Sequence, residues 1–164
     1  MPYLLDANVF IQAKNLHYGF DFCPAFWDWI DRENKERRVY CIERVGDELR
    51  AGADELAQWA EQMRDRLFPA PEPSLLAALP RVSTWVTSQT YSAAAVNTFL
   101  HVADYYLVSQ ALARGDVVVT HEHPANSVNK VKIPNVCIGL GVKCMTPYEM
   151  HRAERARFIL GEAP

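Results

Sequence analysis

Two short runs constrain the fold most: Tyr3-Leu4-Leu5, which stops abruptly at Asp6, and Val117-Val118-Val119, which stops at Thr120-His121-Glu122. Both are apolar at every position rather than at alternate ones. Strands of that kind are buried on both faces, as parallel strands are in an α/β sheet. Open α/β sheets put their active sites beyond the carboxyl ends of their strands, so Asp6 emerges where chemistry is expected. A carboxylate at the boundary of an apolar core loses solvation unless something compensates it. A divalent cation is the obvious compensator, provided that further carboxylates converge there.

Periodicity supplies the remaining elements. Asn8 to Tyr18 reads as a short helix and loop ending at Gly19, and Pro24 suits a first helical position ahead of Phe26, Trp27 and Ile30. Val39 to Ile42 is expected as a second strand. Val45, Leu49, Ala53, Leu56, Ala60, Met63 and Leu67 recur at spacings of three and four and predict one long amphipathic helix, ended by Pro69, Pro71 and Pro73. Residues 75 to 100 read as helical, with breaks near Pro80 and at Tyr91-Ser92. Ala103, Leu107, Ala111 and Leu112 mark another helix stopped by Gly115. Asn135 to Ile138 is expected as a fourth strand, and a last helix from Pro147 to about Leu160. The order β-α-β-α-α-α-β-β-α predicts a single domain over 1–164, with a mostly parallel sheet of about four to five strands wrapped by helices.

Composition excludes several classes. Apolar residues make up 49% of the 164, enough for a proper core. No apolar run approaches the ~20 residues of a membrane helix. Cys23, Cys41, Cys137 and Cys144 form no C-x-x-C pair, and no basic-then-apolar segment marks export, so reduced thiols and a cytoplasmic location are expected. The net charge of −3 argues against a broad nucleic-acid surface, although acidic residues gathered in one pocket leave room for a basic rim.

Four acidic positions follow one pattern. Asp6 ends the first strand, Glu48 lies in the first turn of the helix after the second, Asp104 opens the helix before the third, and Glu122 follows the third. Singly, an acid in a helix's first turn merely complements the dipole, worth ~0.3–1 kcal/mol. If the strands are parallel, Asp6, Glu48 and Glu122 line up at one sheet edge, and Asp104 joins them if its helix starts there; together they form the all-oxygen donor set that Mg²⁺ or Mn²⁺ takes. Glu43, Asp47 and Asp116 compete for these places. Asp47 reads as a helix cap, and Asp116 precedes its strand and so lies at the opposite edge. His121 and His123 form an H-x-H pair with no third nitrogen or sulfur ligand to match, which argues against zinc.

These motifs resemble the PIN-domain family of metal-dependent ribonucleases. The resemblance rests on Leu4-Leu5-Asp6-Ala7-Asn8-Val9-Phe10, Val45-Gly46-Asp47-Glu48-Leu49, Ala103-Asp104-Tyr105-Tyr106-Leu107 and Val117-Val118-Val119-Thr120-His121-Glu122, in the family's order and across most of the chain. It implies a three-layer PIN-like fold and a metal-dependent endoribonuclease that cleaves single-stranded RNA. Asp6, Glu48, Asp104 and Glu122 would be the acidic tetrad binding Mg²⁺ or Mn²⁺, with Asn8 and Thr120 as polar supports. Glu122 departs from the Asp often found at the fourth position. Lys14, Arg44 and Lys130 are candidates for contacting RNA phosphates.

The stretches Pro24-Ala25-Phe26-Trp27-Asp28-Trp29 and Met145-Thr146-Pro147-Tyr148-Glu149-Met150 are similar to a PIN-like subgroup often encoded beside an antitoxin. They imply a bacterial or archaeal toxin with a cognate antitoxin partner. Domains of this kind often form homodimers. Two other readings stand beside this one: a hydrolase of smaller phosphate esters, and a catalytically inactive PIN-like module that binds RNA or protein.

Overall fold

The computed structural model describes residues 1–161. Its centre is a four-stranded, all-parallel sheet in the order β2-β1-β3-β4, made of β1 (Tyr3–Leu5), β2 (Val39–Tyr40), β3 (Val117–Val119) and β4 (Cys144–Met145). All residues of β1 and β3 are buried. The runs apolar at every position thus take the two central places, where both faces are covered.

Helices flank the sheet in three layers. α1 (Ala7–Gln12) leaves β1 and widens into a π-helical turn over Ala13–His17. α2 (Pro24–Lys35) begins at the proline and buries Phe26, Trp27, Trp29 and Ile30. After β2 come α3 (Glu43–Arg50) and α4 (Glu55–Leu67), followed by the proline segment, then α5 (Leu75–Ser88), α6 (Ala93–His101) and α7 (Ala103–Arg114). Gly115, with φ +74°, ends α7 in the left-handed region that glycine tolerates best. α8 (Ile133–Leu140) precedes β4, and α9 (Pro147–Ala153) follows it. Among the described residues no helix is long and apolar enough to cross a membrane.

Four sequence expectations are corrected. The long helix over 45–67 is two helices. Its apolar stripe continues across the break, but Asp54 accepts a hydrogen bond from the Ala57 amide and starts a new helix. Residues 133–140 are helical rather than a strand, with Pro134 in the first turn. The fourth strand is Cys144–Met145, held by Thr120 N–H donating to Met145 O (3.1 Å) and Val118 N–H to Lys143 O (2.9 Å). Pro80 does not break α5, and α9 stops at Ala153. The dense aromatics divide as well. Phe26, Trp27 and Trp29 are core and Phe20 stacks on Trp27 at 4.0 Å, whereas Phe22 is exposed.

α8 runs so close to α5 that a Cβ on Gly139 would lie 2.0 Å from the Trp85 ring. Gly139→Ala is therefore expected to destabilise the protein by about 1–3 kcal/mol, through overpacking. Urea titration checks this, and Trp85→Leu should recover part of the loss. His151 of α9 is walled by Tyr18, Phe26, Trp29 and Phe158, and this burial pushes its pKa down to about 4. The unfolded chain takes up the proton near pH 6.5. His151 therefore lowers stability as the pH falls from there toward 4, and His151→Phe should flatten that part of the melting-temperature profile.

Candidate metal and phosphate site

Register brings the first two polar residues together. Leu5 pairs with Val119, and Asp6 N–H donates to Val119 O (2.9 Å), so Asp6 and Thr120 leave the sheet edge side by side. The Thr120 hydroxyl donates to Asp6 Oδ2 at 2.7 Å, with both residues buried. Asn8 completes the arrangement from α1. Its Nδ2 donates to Thr120 Oγ1 (3.1 Å), and its Oδ1 accepts from His121 N–H (3.1 Å). Glu122 N–H also donates to Thr120 Oγ1 (3.1 Å). The hydroxyl thus gives one bond and accepts two, which is all it can do. This network fixes both the Asp6 carboxylate and the first residues of the loop after β3. It matches the support expected of Asn8 and Thr120.

Asp6 occupies the N-cap position of α1, yet its side chain makes no cap bond. The carboxylate accepts from Thr120, and 5% of the residue is exposed. Burial, then the charge of Asp104, push its pKa up to about 7 against the lowering effect of the Thr120 bond, and Glu122 adds a little. Asp104 sits in the first turn of α7. That helix runs back toward the start of β3, so its own start lies at the edge from which Asp6 emerges. Burial, then Glu122 and Glu48, raise the Asp104 pKa to about 6, and Lys130 opposes them.

Glu48 lies in the second turn of α3 rather than the first, because the helix already starts at Glu43. It is exposed and lines a groove of about 530 Å³ with Arg44, Val102, Asp104 and Lys130. Of its competitors, Asp47 lines the same groove but caps nothing and pairs with Arg50 (2.6 Å), and Glu43 lines the neighbouring cleft; Asp116, the alternative to Glu122, is buried beside Arg114 (2.9 Å) before β3. Glu122 is more occupied than the sequence suggests. Its Oε2 accepts from Ile133 N–H at the start of α8 (2.9 Å), while Oε1 faces Lys132 (3.4 Å) and Lys130 (3.7 Å).

The basic candidates differ in the same way. Lys14 is paired with Asp54 (2.9 Å) and Lys130 with Glu122. Arg44 has no carboxylate partner among the described residues, and its guanidinium lies 3.7 Å from the centre of the Tyr106 ring. One cluster escaped sequence reading. His17, His121 and Tyr148 come from the π-helical turn, the loop after β3 and α9. Their rings lie 5.5–5.7 Å apart, and Tyr148 Oη is 3.0 Å from His17 Nε2. No spacing in the sequence announces a meeting of segments so far apart.

Among the described residues, no three acidic, histidine or cysteine side chains are gathered tightly enough to enclose an ion by themselves. The donor set nevertheless fits a cation of the Mg²⁺ kind, which keeps several waters and takes only one or two carboxylates directly. Asp6 and Asp104 are oxygen donors, neither is ion-paired among the described residues, and their ionised forms are disfavoured by burial and neighbouring negative charge.

A family model described as Domain of unknown function (DUF4411) matches residues 3–158, and the chain belongs to that family. No curated protein and no solved structure matches it.

The electrostatics carry a sign. Between pH 3.8 and about 7 the folded protein keeps the Asp6 proton that the unfolded chain releases, so Asp6 lowers stability as the pH rises through this window. Asn can still accept from Thr120 and does not titrate. Asp6→Asn is expected to match the parent near pH 4 and to exceed it by roughly 4 kcal/mol at pH 8, measured by denaturation at both pH values without divalent cations.

Proposed function

We propose that this protein is a metal-dependent endoribonuclease acting on single-stranded RNA, the activity implied by its resemblance to PIN domains. The observation that carries the reading is the buried, unpaired Asp6 carboxylate, held by Thr120 at the carboxyl edge of a parallel sheet and within the electrostatic reach of Asp104 and Glu122. A carboxylate kept there against its own solvation is accounted for by a cation site. Structural stability does not require it.

Asp6 and Asp104 would hold Mg²⁺ or Mn²⁺, with Glu48 on the open side of the groove and Glu122 behind. Such an ion, when bound, stabilises the negative charge that builds on phosphoryl oxygens and makes water a better nucleophile. The chain's own residues then do the positioning. Thr120 and Asn8 fix the direction of the Asp6 oxygens. Glu48 and Asp104 keep the groove negative, so a phosphodiester enters together with its counter-cation. Arg44, the unpaired basic side chain on the rim, offers its fork of donors to a phosphate. In a toxin–antitoxin setting, a cognate antitoxin would keep RNA out of this groove.

Single-stranded RNA should be cut in Mg²⁺ or Mn²⁺ and spared in EDTA. Asp6→Asn should show no measurable cleavage. Thr120→Val, which removes the bond to Asp6, should slow it by about 10- to 100-fold. Mn²⁺ should raise the melting temperature of the parent and not that of Asp6→Asn. An Asp6→Asn protein that cuts at the parental rate, or undiminished cutting in EDTA, overturns the reading.

A further inference from the structure

Arg44 lines two cavities. One is the carboxylate groove. The other is a cleft of about 480 Å³ between the first turn of α3, the proline segment and α5, closed at the back by α7. Its walls are mostly apolar, with Ile42, Pro71, Leu75 and Leu79 among them, and Glu43 and the Glu72–Arg114 ion pair also line it. The face of α7 carries Tyr106 and Gln110 into it, beginning one short step from Asp104.

Two side chains there have unspent binding capacity. Gln110 is 6% exposed, yet its amide has no hydrogen-bond partner among the described residues. Its amide atoms are not sealed off from solvent, so they open onto the cleft that Gln110 lines. Arg44 sits over the Tyr106 ring, its Cζ 3.7 Å from the ring centre, and lines both cavities.

We infer that this cleft is a nucleobase subsite, which takes up one base of the nucleotide whose phosphate is held by Arg44. The inference rests on the RNA reading above and names where that substrate is recognised. The chemistry matches on three counts. A cleft of this size and apolarity suits a flat aromatic ring. The Gln110 amide offers a donor and an acceptor side by side, the pattern that reads the polar edge of a base. The two cavities share Arg44 as a wall, so a phosphate held by Arg44 has the cleft beside it for its base. Single strands are commonly held in this way, with the backbone on cations and the base on apolar or aromatic surface.

The test is equilibrium binding in EDTA, so that cleavage plays no part. The probes are the four nucleoside 5′-monophosphates, with ribose 5-phosphate as the baseless control. At least one nucleotide should bind tenfold or more tightly than ribose 5-phosphate. Gln110→Leu should erase most of that advantage. Arg44→Gln should weaken nucleotide and ribose 5-phosphate alike. Leu76→Trp, at an exposed position on the cleft mouth, should also abolish the base-dependent part without touching the core. Equal binding of nucleotide and ribose 5-phosphate, or a nucleotide preference untouched in both Gln110→Leu and Leu76→Trp, overturns the subsite. Base-dependent binding by a protein that cuts no RNA would leave the subsite standing and sink the nuclease. RNA cutting with no base-dependent binding would do the reverse.

Discussion

One hydrogen bond organises the site: the Thr120 hydroxyl to Asp6 across the junction of β1 and β3. It exists because two parallel strands in register both end at the same level, each followed at once by a polar residue. The bond decides which way the Asp6 carboxylate faces. With its hydroxyl fully engaged by Asp6, Asn8 and the Glu122 amide, Thr120 also fixes the path of the chain beyond β3. The position of Glu122 follows from that path, and the start of α8 follows from Glu122.

The electrostatic arrangement runs against the usual economy of a small domain. Buried acids are ordinarily paired. Glu33 obeys this rule, with Arg32 and Arg38 on its carboxylate; Asp116 lies against Arg114, yet burial still pushes its pKa up. Asp6 and the half-buried Asp104 make no ion pair among the described residues; Asp104 adds to the difficulty of Asp6, and Glu122 and Glu48 to that of Asp104. The contrast within one molecule separates acids that serve the fold from acids that are held in spite of it.

Much of this could be read in the sequence, because it is written locally. Tyr3–Leu5 and Val117–Val119 declare themselves by unbroken apolarity, and Asp6, Asn8 and Thr120 are set by their distance from those strand ends. Gly115 marks the end of α7, and counting back along that helix brings Asp104 to the right edge. The misreadings have physical causes. Residues 135–138 are apolar with β-branched members, and so short a run fits either a strand or a buried helix. Pro134 was the better signal. The apolar stripe over 45–67 kept its period through the break at Asp54, so periodicity alone could not find two helices. Pro80 removes one amide bond, and the packing of α5 against α7 outweighs that loss. What stayed hidden is non-local: the meeting of His17, His121 and Tyr148, the engagement of Glu122 with α8, and the cleft that Gln110 faces from the middle of a buried stripe.

Glu122 stands between two demands. Its carboxylate ties down the first amide of α8, and at the far end of that helix Gly139 is wedged against Trp85. The helix therefore cannot slide to follow if Glu122 is drawn toward an arriving cation. Whatever slack the movement needs must come from residues 123–132, the loop that carries Lys130 and Lys132. On the proposed reading, a cation drawn to Glu122 would loosen this loop first and free Lys130 and Lys132 from their acid.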